Sequence, residues 1–183
     1  MRIRATCVCV VLLLAGCGGR VLRMHDVAPP PFELRLSPAS LGRELSLQQQ
    51  LRFRLGQQER TFDALLEADA GDVRLDIQSL GQSALRLSWD GKQLQQRRAD
   101  WLPKSVRGEE VLSDLQLANW PVAAIREALP AGWSLVEDAG SRLLVHGDTT
   151  IETVRYPAPG RIDIEHANFR LSIVSVPVQQ AVP

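Results

Sequence analysis

All three cysteines of this 183-residue chain fall at positions 7, 9 and 17. None lies further along to pair with, which excludes a disulfide framework and a thiolate metal site from the rest of the chain. Lysine is nearly as scarce: of 21 basic residues only Lys92 and Lys104 are lysines, no basic block occurs, and 21 acidic residues balance the charge. This is not the electrostatic footprint of a nucleic-acid binder. No apolar run reaches the roughly 20 residues that a bilayer-spanning helix needs. Three motifs of catalysis and nucleotide binding are missing as well: the P-loop, G-x-G-x-x-G and the G-x-S-x-G elbow.

At the N-terminus, Arg2 and Arg4 precede an apolar run from Val8 to Leu14. This reads as a bacterial signal peptide over residues 1–16. Leu14-Ala15-Gly16-Cys17 resembles the lipobox of bacterial lipoproteins, which implies that Cys17 becomes the first residue and carries lipid. Each buried methylene contributes about 0.8 kcal/mol, so two or three acyl chains hold stably. Gly18, where Asp would retain such a protein elsewhere, implies the periplasmic face of the outer membrane. Residues 17–44 read as the lipidated N-terminus and a tether, with Gly18-Gly19, Pro29-Pro30-Pro31 and Ser37-Pro38. The triple proline is expected to be extended and semi-rigid. The remaining length suits one domain, expected over 45–177, with a frayed end at 178–183.

Within that domain the apolar period is two. Leu51, Phe53 and Leu55 alternate with Gln50, Arg52 and Arg54; Val73, Leu75 and Ile77 with Arg74 and Asp76; Leu85, Leu87 and Trp89 with Arg86 and Ser88. Such alternation predicts antiparallel strands with one dry face. Asp90-Gly91 predicts a two-residue hairpin turn. Val111, Leu112, Leu115 and Ala118 fall at helical spacing. Trp120-Pro121 interrupts, and Val122, Ile125 and Leu129 mark a second short helix. Strands resume at Trp133 and continue through Phe169, Leu171 and Ile173. The expected fold is mainly β with α: a strongly curved antiparallel sheet or open half-barrel of 9–11 strands, covered by short helices.

Few residues point to chemistry. His146, Asp148 and His166 are the only combination that suggests zinc, which needs three or four converging ligands; solvated hairpin ends explain them more simply. Ser172, His166 and Asp163 compose a hydrolase triad only on paper, and Asp63, Glu67 and Asp69 read as a solvated face. The expectation is a non-enzyme without metal or cofactor. Trp89, Trp101, Trp120 and Trp133 serve either core packing or a cavity wall. In "IQSLGQSALRLSWDG", Leu80 sits at a turn tip, where it either folds back over the core or meets something apolar.

A lipobox, a tether, strands, paired helices and further strands, with Leu80-Gly81-Gln82-Ser83 as the turn and Pro159, Ile162, Ile164 and the Phe169–Ile173 stretch as the closing hairpin, resemble the LolB-like outer-membrane lipoproteins. "EEVLSDLQLANWP", Leu129-Pro130 and Gly132-Trp133 are more similar to a LolB-like group often encoded with aryl polyene pigment biosynthesis genes. The resemblance implies an apolar cavity for an acyl or polyene chain (or a lipoprotein acyl group), transfer into the outer membrane, and a periplasmic LolA-like carrier as partner. It makes Leu80 the membrane-contact or lipid-transfer residue. The implied cavity lining is Phe53, Leu66, Leu75, Leu87, Trp89 and Phe169 from the strands. Leu115, Trp120, Ile125 and Trp133 complete it. The alternative is a non-catalytic scaffold that docks envelope or biosynthetic proteins.

Overall fold

The computed structural model describes residues 32–178. The signal peptide, Cys17, most of the expected tether and residues 179–183 lie outside them. A short 3-10 helix, Pro38–Leu41, comes first. Five strands succeed it: β1 (Leu45–Leu55), β2 (Gln58–Ala68), β3 (Val73–Ser79), β4 (Gln82–Trp89) and β5 (Leu94–Arg98). Two helices come next, α1 (Gly108–Asn119) and α2 (Val122–Ala128). Five more strands complete the domain: β6 (Trp133–Asp138), β7 (Ser141–His146), β8 (Thr149–Ala158), β9 (Arg161–His166) and β10 (Phe169–Pro177).

Each half is a five-stranded meander, as expected for short connections between sequential strands. The meanders join through β1 and β10, giving one antiparallel sheet in the order β5-β4-β3-β2-β1-β10-β9-β8-β7-β6. Consequently β5 and β6, neighbours along the chain on either side of the helices, stand at opposite edges. The helical connection between them must cross a face of the sheet. Curvature then follows from lengths. Flat, β5 and β7 would be about 38 Å apart at the usual strand spacing. Helix α1, with 12 residues, is only about 18 Å long. Yet Gln96 of β5 bonds its first turn, accepting from Gly108 N–H at 3.1 Å. Arg142 of β7 donates to its last carbonyls, Leu117 O at 2.7 Å and Trp120 O at 2.9 Å. The sheet therefore wraps into an open half-barrel, and α1 bridges its concave side.

Alternation selects that concave face. Leu51, Ala64, Leu66, Leu75, Leu87 and Val154 are buried there, against Leu112 and Leu117 of α1 and Ile125 of α2. One irregularity sits in the β3–β4 hairpin. The register slips between Ile77 and Gln78, so Ala84 and Leu85 are buried in succession, as a β-bulge requires. The expected two-residue turn at Asp90-Gly91 is instead a four-residue connection. Asp90 Oδ1 accepts from the N–H groups of Lys92 (2.8 Å) and Gln93 (2.7 Å), an Asx turn that spends two extra residues.

The expected tether also ends earlier than residue 44. Leu34, Leu36 and Leu41 are core residues. Leu34 N–H donates to Ser113 Oγ at 3.0 Å, and Leu36 N–H to Gln116 Oε1 at 2.9 Å. Gln116 Nε2 and Trp89 Nε1 both donate back to Leu36 O, at 2.9 and 2.7 Å. The stretch is a strap across α1. Its apolar residues alternate with Glu33 and Arg35 while buried side chains satisfy its backbone, so it packs although it joins no sheet.

Candidate functional site

Ser79 pairs with Gln82, so Leu80 and Gly81 form a two-residue turn. Their φ angles, 51° and 75°, are both left-handed, which makes the turn type I′. Asn-Gly is the usual occupant because a branched side chain is strained there. Leu80 is the one non-glycine residue with positive φ among the described residues, and its side chain is 100% exposed. It does not fold back onto the barrel rim. An apolar side chain is thus held in water by a backbone conformation that disfavours it.

The residues expected to line a cavity separate into two sets. Leu66, Leu75, Leu87, Trp89, Trp120 and Ile125 are between 0% and 5% exposed and packed against one another or the strap. In this structure they are core, not wall. Trp120 Nε1 reaches Ser37 O (3.2 Å) and Ser40 Oγ (3.1 Å), as a buried indole N–H requires. Phe53, Leu115, Trp133 and Phe169 are half-buried. Trp133 lies between Phe32 and His146, with centroids 5.0 Å from each. Phe53 meets Phe169 at 5.3 Å, and Phe169 stacks on His166 at 5.2 Å. A hollow of about 220 Å³ lies on the opposite, outward face, bordered by Leu65, Glu67, Arg74, Asp76, Arg86 and Ser88.

Sequence reading missed a polar group on the concave side. Glu152 of β8 stands opposite His166 of β9 in the register. It is 5% exposed, and neither Glu152 Oε1 nor His166 Nδ1 has a hydrogen-bond partner among the described residues. Asp114 of α1 lies above. It is one turn from Ala118, whose carbonyl accepts from Tyr156 of β8 at 2.8 Å. Burial pushes the Glu152 carboxyl well above the ordinary range, and Asp114 beside it adds to the shift. Burial and Glu110 push Asp114 up to about 7. The only trace in sequence was Glu152 at an inward position of an alternating strand.

The trio Ser172, His166 and Asp163, a triad only on paper, does not assemble. Asp163 and His166 are three residues apart on one strand and so face opposite ways. Ser172 Oγ donates directly to Asp163 at 2.6 Å on the outer face. Among the described residues no group of three His, Cys, Asp or Glu is placed to hold a metal ion.

Residues 46–177 match a family described as "Protein of unknown function (DUF3261)". No curated protein matches the chain. Among solved structures the chain is similar to a LolA superfamily protein, NE2245, from Nitrosomonas europaea. The two share 11% identity over 81% of this chain and 93% of that one, with a TM-score of 0.45.

Proposed function

The chain belongs to the DUF3261 family, described only as proteins of unknown function, and from that premise we propose that it is a non-catalytic lipid-handling lipoprotein. Anchored through Cys17 at the periplasmic face of the outer membrane, it takes an acyl or polyene chain between sheet and helices. It then helps to place that chain in the membrane, with no covalent step and with a LolA-like carrier upstream.

Leu80 carries the reading: a fully exposed leucine kept at a strained turn tip. Burying one leucine is worth about 1.5–3 kcal/mol, too little to anchor a protein but enough to disturb lipid packing locally. The packed interior means that a chain enters only if α1 yields. Its seat is suited to that, because Glu152 lies beneath it with a buried carboxyl oxygen that has no partner among the described residues, beside Asp114 of the helix itself. The same packing favours a second reading, a scaffold that binds no lipid. Native mass spectrometry of the full chain with lipid extraction, beside Leu80→Glu, decides between them. A stoichiometric apolar adduct in both proteins, with delivery to vesicles lost only in Leu80→Glu, is the expected result. A clean protein mass with no uptake of added chains would sink the carrier reading and leave the scaffold.

A further inference from the structure

A second exposed anchor stands at the same end of the sheet as Leu80. After β5 the chain stays attached to β4, with Ala99 N–H donating to Ala84 O at 2.9 Å, two residues inside the start of that strand. The loop that leaves from there is built rather than slack. Leu102 N–H donates to Ala99 O at 3.1 Å. Arg98 clamps the loop by donating to Leu102 O (3.1 Å) and Pro103 O (2.7 Å). Leu102 is inserted into the core at 7% exposure, and its neighbour Trp101 is turned out at 44%. Thus one end of the half-barrel presents a leucine and a tryptophan, each on a constrained backbone.

The Trp101 loop and the end of β5 carry an excess of positive charge, although exposed Asp63 stands opposite Gln78 near the Leu80 turn. Arg97 and Lys104 are exposed, and neither pairs with an acid among the described residues, whereas the arginines of the neighbouring β3–β4 hairpin are neutralised: Arg74 by Glu67 and Asp72, Arg86 by Asp76. Arg98 donates through Nη2 to two carbonyls, and no acid pairs with it among the described residues. Against these three cations the loop sets only Asp100. An indole and an aliphatic tip flanked by unneutralised cations match a lipid surface, where the rings sit at the headgroup level and basic side chains meet anionic headgroups.

We propose that the Leu80 turn and the Trp101 loop form a two-point docking surface for an anionic phospholipid bilayer, with Arg97 and Lys104 binding the headgroups. The inference rests on the lipid-handling reading and names the surface that reading requires. It gives Leu80 a partner, since two shallow contacts fix an orientation that one cannot.

The test uses the full chain mixed with vesicles whose lipids carry brominated acyl chains, either phosphatidylcholine alone or phosphatidylcholine with phosphatidylglycerol. Bromine quenches tryptophan by contact, and the difference between parent and Trp101→Phe isolates one ring. Trp89 and Trp120 are buried, and Trp133 is half-buried between Phe32 and His146. Expected is a Trp101-dependent quenching with the anionic vesicles. It weakens in Leu80→Ser, and vesicle partitioning falls about fivefold for each of Arg97→Gln and Lys104→Gln. No Trp101-dependent quenching in either vesicle overturns the proposal, and so does equal quenching in both. Uptake of an apolar probe, measured on the same samples without vesicles, separates the two readings. Uptake without Trp101 quenching removes the docking surface alone, whereas quenching without uptake removes the carrier alone.

Discussion

Leu80 occupies a position where leucine is the wrong residue for stability. A left-handed conformation costs a non-glycine residue about 1–2 kcal/mol, and asparagine relieves much of it. Leu80→Asn is therefore expected to stabilise the protein by roughly 1 kcal/mol in urea unfolding, while delivery to vesicles falls. A variant that loses stability instead would mean that Leu80 packs somewhere in solution. Glu152 and the half-buried Asp114 beside it present the opposite case, residues that sequence leaves unremarkable and desolvation makes costly. Both carboxyls have folded-state pKa values raised above their ordinary ones. Between about pH 4 and 7 the folded protein therefore holds protons that the unfolded chain has released, and stability falls as pH rises through that window. The melting temperature is expected to decline from pH 5 to pH 8, and Glu152→Gln is expected to flatten much of that decline. A parent protein whose melting temperature rises over the same range would show that the pair is not buried together.

At the level of elements, the strap and α1 define each other. Gln116 is fully buried and pairs its amide with both backbone groups of Leu36. Gln116→Ala opens a cavity and leaves Leu36 N–H without its acceptor. The expected loss is about 2–4 kcal/mol, with new proteolytic cleavage in residues 33–41 appearing before global unfolding. Equal protection of the strap in the variant would show that Leu34 and Leu41 hold it alone. The ends of α1 are secured by other means. Its N-terminus carries Glu109 and Glu110, where negative charge is favoured, and its last carbonyls receive Arg142 and Tyr156. The helix is thus fixed at both ends, and between them the strap holds it through Ser113 and Gln116.

For the whole molecule, the pairing of β1 with β10 decides cooperativity. Leu47 meets Pro177 and Leu55 meets Phe169 across the length of the chain, and the core draws on both meanders, the helices and the strap. Neither half can bury its concave face alone. Denaturant unfolding is expected to give a single transition that coincides by tryptophan fluorescence and far-ultraviolet circular dichroism. Two separated transitions would show that the meanders fold independently.

The elements were legible along the chain: alternation marked the inward faces of the strands, helical spacing marked α1, and Trp120-Pro121 marked the break before α2, because these patterns are local consequences of backbone geometry. Leu80-Gly81 was legible as a turn too, since glycine after an alternating run carries its own conformational signal. Other features emerged only on folding. Whether Leu80 turned inward or outward, whether Trp89 and Trp120 lined a cavity or filled a core, and whether Leu34 belonged to a tether or a strap all depended on what the curved sheet brings near. The same holds for Glu152, whose charge is ordinary on a solvated strand and costly beneath a helix, and no pattern along the chain encodes which of the two it meets.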